Sequence, residues 1–171
     1  MQKNIVLVGF MGAGKTAVGK ELAKRLDLTF VDLDEVIEHK EGRRICDIFT
    51  HNGEPHFRRV EKEVTREVSQ KLRQVIACGG GVVLDKENVA NLKKTGIVIY
   101  LKASPAVILE RTKAYAHRPL LNVEDPREKI KELLDFRRGF YEQADHTIDT
   151  SNATIEEVVA RILEIINQEK A

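Results

Sequence analysis

The feature that most constrains this chain is an eight-residue segment, GFMGAGKT, at positions 9–16. It fits the pattern G-x-x-x-x-G-K-[ST] completely. An apolar run at 4–8 precedes it, and Val18, Leu22 and Leu26 follow it at helical spacing. In such a strand–loop–helix unit, backbone N–H groups converge on phosphate oxygens, and glycines remove the Cβ atoms that would obstruct this approach. The segment therefore predicts a phosphate-binding loop, called the P-loop below.

The P-loop is also expected to supply side chains to a nucleotide. Lys15 would reach the β- and γ-phosphates, and Thr16 would ligate the one Mg²⁺ ion bound with ATP. The predicted nucleotide-binding residues in this segment are Gly12, Ala13, Gly14, Lys15, Thr16 and Ala17. A glycine-rich turn with an incidental lysine is the alternative, which the complete match in its strand–loop–helix context disfavours.

Apolar, β-branched runs alternate with amphipathic segments along the chain. The runs lie at 4–8, 29–32, 74–78, 96–101 and 146–149. This alternation predicts an α/β fold with a parallel sheet covered by helices. Capping signals at 104–105, 125–126 and 154–157 predict three helix starts. The last helix is expected to pack on the sheet without a chemical role.

Length and composition narrow the possible functions. The 171 residues suffice for a single domain, 1–171, with its own core. Because 28 basic residues face 27 acidic ones, no overall charge would attract nucleic acid or an anionic membrane. Neither the two cysteines, Cys46 and Cys78, nor the five histidines have metal-ligand spacing. We expect a reduced, cytoplasmic protein, monomeric, with no nucleic-acid or membrane partner.

Two carboxylates, Asp32 and Asp34, end the second apolar run, at the edge where open α/β sheets bind ligands. Transfer of a phosphoryl group to a hydroxyl requires a group that positions the acceptor and takes its proton. Asp34 is the candidate for that role, and Asp32 is the candidate for holding Mg²⁺ through water. The alternative is that Asp34 only caps the helix that follows.

Arginines and a glycine run are candidates for the acceptor site. Arg58 precedes Glu61 by one helical turn, so Glu61 could orient its guanidinium toward a carboxylate, although a surface ion pair explains the same pattern. Arg137 offers a second such group. The glycines at 79–81 follow the third run, where close approach of a ligand to the backbone, or a flexible turn, would explain them.

The segment 113–123 lacks an apolar face and is predicted to be a mobile loop between two helices. It could close over bound ATP and exclude water. Arg118 would then neutralise charge that develops on the transferred phosphoryl group. An exposed arginine without a role is the alternative.

Together these motifs resemble those of the shikimate kinase family. The resemblance rests on GFMGAGKT, Asp32-Leu33-Asp34, GE-x-x-FR-x-x-E at 53–61, the glycines at 79–81 and RPLL at 118–121, in the family's order over nearly the whole chain. It implies a three-layer αβα fold with a five-stranded parallel sheet, like that of nucleoside monophosphate kinases. It also implies a shikimate-binding region at 34–61 and a lid at 112–122.

The same resemblance implies a reaction and a role for each candidate. ATP would phosphorylate the 3-hydroxyl of shikimate to give shikimate 3-phosphate and ADP, in the pathway to chorismate and the aromatic amino acids. The implied catalytic residues are Lys15, Asp34 and Arg118. The implied acceptor residues are Asp34, Arg58, Gly79, Gly80, Gly81 and Arg137, and the implied adenine neighbours are Arg111 and Asn152.

Two departures from the family pattern stand out. Gly139 occupies a position where the family often has proline, and the lid residues at 114–117 carry less charge than expected. Neither removes a charged group from the proposed chemistry. From the residues alone the acceptor is a polyhydroxy acid, so a gluconate or nucleotide kinase stays an alternative, as does a nucleotide-dependent switch without an acceptor. The switch has no use for Asp34, Arg58 and Arg137 together.

Overall fold

A five-stranded parallel sheet organises the computed structural model, which describes residues 3–113 and 123–169. The strands are β1 (Asn4–Val8), β2 (Thr29–Asp32), β3 (Gln74–Ala77), β4 (Gly96–Lys102) and β5 (His146–Asp149). Their order is β2-β3-β1-β4-β5, and every neighbouring pair is parallel. The predicted apolar runs are all strands, with ends that differ by at most one residue. All five carboxyl ends therefore lie at one edge of the sheet.

Seven α-helices lie within these described residues. They are α1 (Lys15–Leu26), α2 (Leu33–Glu41), α3 (Ile45–Ser69), α4 (Lys86–Thr95), α5 (Pro105–Thr112), α6 (Pro126–Tyr141) and α7 (Ile155–Gln168), with a 3₁₀ turn at Val82–Leu84. The capping signals are confirmed, because the side chains of Ser104, Asp125 and Thr154 accept hydrogen bonds from the first turns of α5, α6 and α7. Gly139 lies within α6, which continues to Tyr141.

The sheet has a separate hydrophobic core on each face, since successive side chains of a strand point to opposite faces. Ile5 and Leu7 of β1 join one core with residues of α1, α5, α6 and α7. Val6 and Val8 join the other with residues of α2, α3 and α4. This confirms the three-layer αβα fold, in which the carboxyl edge of the sheet stays uncovered for a ligand.

Helix α3 is interrupted at Gly53, whose φ of 80° and ψ of 169° are open only to glycine. The second segment of α3 carries Arg58 and Glu61, so the break sets the direction in which these side chains approach the sheet edge. No helix in 3–113 or 123–169 has the length and apolar character needed to cross a membrane. Of the predicted lid at 112–122, only Thr112 and Lys113 are described, and Arg118 and residues 114–117 lie outside the described residues.

Candidate active site

A cavity of about 660 Å³ opens at the carboxyl edge of the sheet. All six predicted nucleotide residues at 12–17 line it, as do Asp32, Asp34, Gly79, Gly80 and Arg111. Asn152 does not; it is exposed in the loop after β5, between the cavity-lining Thr150 and Ala153. Helix α7 packs on the sheet as predicted, and its Ile155 and Val158 also line the cavity. Most predicted ligand contacts thus share one space.

The P-loop turns sharply between β1 and α1. Gly9, Gly12 and Gly14 have φ of 148°, 78° and 97°, and a Cβ on Gly9 would overlap the carbonyl oxygen of Leu101. Lys15 Nζ donates to the carbonyl oxygens of Gly9 at 2.7 Å and of Phe10 at 2.9 Å. Its ammonium is therefore held across the loop, beside the N-terminus of α1, where an anion is stabilised.

Asp32 connects the P-loop to the start of α2. Its Oδ2 accepts from Thr16 Oγ1 at 3.1 Å, and its Oδ1 accepts from the backbone N–H of Asp34 at 3.0 Å. Asp32 is thus the N-cap of α2, and the alternative that Asp34 caps this helix is wrong. Two oxygen ligands beside a phosphate loop suit Mg²⁺, which takes few protein oxygens and fills its remaining positions with phosphate and water. Thr16 and Asp32 therefore fit the predicted metal.

Arg58 and Glu61 form a largely buried ion pair, with Arg58 Nη1 and Glu61 Oε2 at 2.8 Å. Glu61 is only 2% exposed, so the alternative of a surface pair is wrong. Burial raises the pKa of Glu61, and the nearby Arg58 offsets part of that rise, while the charge of Asp34 adds to it. Burial opposes the charge of Arg58, but Glu61 and Glu54 outweigh it and raise the Arg58 pKa. Glu61 thus holds a permanently cationic guanidinium beside the cavity.

The three glycines at 79–81, called the glycine loop, are where the charged groups meet. A Cβ on Gly79 would lie 2.7 Å from Asp34 Oδ1, and one on Gly81 would overlap the Arg58 guanidinium. A Cβ on Gly80 would lie 3.4 Å from Arg137 Nη1. A merely flexible turn does not need such close packing. The glycines instead leave room for Asp34, Arg58 and Arg137 to converge on one stretch of backbone.

Arg137 is buried, with 6% of its surface exposed. Its guanidinium carbon lies 5.7 Å from the centre of the Phe10 ring, and its Nε has no hydrogen-bond acceptor in the described part of the chain. A buried cation with an unused N–H group is costly unless an anion completes its hydrogen bonds. Arg137 therefore has the properties expected of a ligand-binding arginine, and its fork suits a carboxylate.

Thr150, which follows β5, is a residue that the sequence reasoning missed. Its hydroxyl lies 3.1 Å from the carbonyl oxygen of Ala13 and 3.2 Å from that of Lys102. Arg111 donates to the Thr150 carbonyl at 2.8 Å, to its hydroxyl at 3.3 Å and to the Gly12 carbonyl at 3.2 Å. Thr150 and Arg111 thus fasten the P-loop to the loop after β5. The only sequence signal was a polar residue at the carboxyl end of a strand.

The sequence model of the family described as shikimate kinase matches residues 11–167. The chain belongs to the shikimate kinase family. It is 55% identical over 161 residues to a shikimate kinase of Thermodesulfovibrio yellowstonii, across 94% of this chain and 93% of that protein. It is 48% identical to one of Caldanaerobacter subterraneus, across 94% of each.

A solved structure agrees with this membership. The shikimate kinase from Acinetobacter baumannii in complex with shikimate superimposes with a TM-score of 0.95 at 40% identity, covering 99% of this chain and 96% of that one. This family member is therefore a phosphotransferase with the fold of nucleoside monophosphate kinases. The family resemblance drawn from the sequence motifs is confirmed.

Replacing Thr150 with valine should weaken nucleotide binding, because valine keeps the shape but removes the hydrogen bonds to the P-loop. We expect the Kd of ADP to rise about tenfold, the effect of losing one or two buried hydrogen bonds. Titration calorimetry with ADP measures it. Thr150→Ser should retain affinity near the wild-type value, and Thr147→Val, at an exposed position of β5, is the matched control. An unchanged Kd for Thr150→Val would contradict the role.

Proposed function

We propose that this member of the shikimate kinase family transfers the γ-phosphoryl group of ATP to the 3-hydroxyl of shikimate. The products are shikimate 3-phosphate and ADP, on the route to chorismate and the aromatic amino acids. The observation that carries the proposal is the convergence of Asp34, Arg58 and Arg137 on the glycine loop, beside a complete P-loop. The likeness to a kinase solved with shikimate supports it.

On the nucleotide side, the P-loop binds the phosphates through backbone N–H groups. Lys15 is already directed across the loop, from which its ammonium would contact the β- and γ-phosphates. Arg111 and Asn152 are proposed to flank the adenine, and Arg118 is proposed to contact the transferred group from the lid. Phosphoryl transfer needs little covalent help from the protein, so positioning and charge stabilisation supply most of the catalysis.

Thr16 and Asp32 would hold the Mg²⁺ that accompanies ATP, directly or through water. When bound, Mg²⁺ neutralises charge on the phosphates and orients them for in-line transfer. The protein's own contribution is to fix the two oxygens: Thr16 Oγ1 is 3.1 Å from Asp32 Oδ2 because Asp32 is anchored as the cap of α2.

On the acceptor side, Arg58 and Arg137 are proposed to bind the carboxylate of shikimate. Asp34 then accepts a hydrogen bond from the 3-hydroxyl and takes its proton as the oxygen attacks the γ-phosphorus. The bond from that phosphorus to the bridging β–γ oxygen breaks, and the electron pair leaves on ADP. Gly79 lies against the Asp34 carboxylate, so the backbone of the glycine loop forms the floor on which the ring rests.

ADP release from MgATP, measured with and without shikimate, tests the proposed function. We expect ATP turnover that depends on shikimate, with gluconate and nucleoside monophosphates as control acceptors. Turnover with gluconate or a nucleotide in place of shikimate would identify a different small-molecule kinase. Nucleotide binding with no acceptor-dependent turnover would favour a nucleotide-dependent switch. We also propose that the protein is a cytoplasmic monomer, which size-exclusion chromatography with light scattering tests for the oligomeric state.

A further inference from the structure

Tyr141, the last residue of α6, makes a contact that the proposed chemistry does not use. Its side chain is completely buried, and its hydroxyl donates to the carbonyl oxygen of Gly80. The two residues are 61 positions apart in sequence. Gly80 is the middle residue of the glycine loop, so this hydrogen bond joins the end of a helix to the floor of the acceptor site.

The position of the Tyr141 ring is set by the sheet. It stacks on Tyr100 of β4, with ring centres 4.9 Å apart and planes inclined by 14°. Burial raises the pKa of the Tyr141 hydroxyl to about 12, so this group is a protonated donor throughout the neutral range. Since the ring is held by stacking, the hydroxyl is a fixed donor at which the glycine loop ends its path.

Arg137 lies one helical turn before Tyr141 on α6, which places the two side chains on the same face of the helix. The Arg137 guanidinium interacts with the Tyr141 hydroxyl and also lies against Gly80. Gly139 is on another side, where an added Cβ would meet nothing within 4 Å. One helix face therefore carries both the proposed carboxylate-binding arginine and the hydroxyl that anchors the loop opposite it.

We infer that Tyr141 is a positioning residue for the acceptor: its hydroxyl sets the distance between the glycine loop and Arg137. It does not touch the acceptor itself. The inference rests on the proposed function, because it assigns the space between these two elements to shikimate. Without the hydroxyl, the Gly80 carbonyl loses its partner and the loop can move away from Arg137, while the P-loop keeps all of its own contacts.

Tyr141→Phe tests this inference, since phenylalanine keeps the stacked ring and removes only the hydroxyl. We expect the KM of shikimate to rise about tenfold, as for the loss of one buried hydrogen bond at a binding site. The KM of ATP should stay within about twofold of the wild-type value. Tyr100→Phe is the matched control: its stack is the same, and within residues 3–113 and 123–169 its hydroxyl has no hydrogen-bond partner. It should leave both constants unchanged.

The two KM values separate positioning from general loss of structure. A destabilised enzyme would lose active protein and lower the apparent kcat without a selective change in the KM of shikimate. Calorimetric titration with shikimate, well below the melting temperature of each variant, gives a second reading that needs no turnover. An unchanged affinity for shikimate in Tyr141→Phe, or an equal rise for ATP, overturns the inference. Failure of the wild type to use shikimate instead overturns the proposed function.

Discussion

Asp34→Asn should lower turnover with shikimate by about 10³-fold, because an amide cannot take the proton of the attacking hydroxyl. ATP affinity should stay nearly unchanged. The substitution leaves the Asp34 backbone N–H on Asp32 and the Thr16–Asp32 contact intact, so the nucleotide side keeps its geometry. Steady-state ADP formation and a separate ADP titration measure the two effects. Near-normal turnover in this variant would remove Asp34 from the mechanism.

The matched control is Asp27→Asn. Asp27 is exposed after α1 and has a φ of 53°, a left-handed conformation that asparagine also tolerates. It removes one carboxylate without disturbing the backbone or the cavity. Wild-type turnover in this control, together with a melting temperature of Asp34→Asn close to that of the wild type, would show that the loss arises at the site.

The second large effect is expected for Arg137→Ala. Loss of a charged hydrogen bond to the acceptor carboxylate costs about 1.5–3 kcal/mol, so the KM of shikimate should rise about 10- to 150-fold. Arg137→Lys should recover only part of the affinity, because an ammonium keeps the charge but lacks the fork. Initial rates over a range of shikimate concentrations measure both variants. An unchanged KM would contradict the proposed contact with the carboxylate.

Arg138→Ala is the control for this experiment. Arg138 is the next residue of α6, yet its side chain is 66% exposed and pairs with Asp135 at the surface. Such a pair contributes little to stability. The contrast between neighbours on one helix tests whether the effect follows burial and direction rather than loss of a positive charge.

The elements of the fold were predictable because each carries a local signal. Buried parallel strands require continuous β-branched, apolar runs, and the runs at 4–8 and 146–149 coincide with β1 and β5. Side-chain caps fix helix starts within a few residues of sequence, and Thr154 with Glu157 forms the predicted capping box. The P-loop combines both kinds of signal in one segment.

Contacts between distant segments were not predictable from such signals. The Thr150 hydroxyl reaches Ala13 across 137 positions, and Tyr141 reaches Gly80 across 61. Nothing near Thr150 or Tyr141 in the sequence marks these partners, because topology brings them together. The choice between Asp32 and Asp34 as helix cap was also open, since either carboxylate could occupy that position. It is decided by where β2 ends relative to the P-loop.

The two oxygens of the Asp32 carboxylate have different partners. One is turned toward Thr16 and the expected metal, and the other holds the backbone N–H that starts α2 and carries Asp34. A substitution at Asp32 would therefore perturb donor and acceptor halves of the reaction together, and its kinetic defect could not be assigned to metal loss alone. The same shared carboxylate gives the enzyme a short mechanical route by which loading of one substrate is felt at the other.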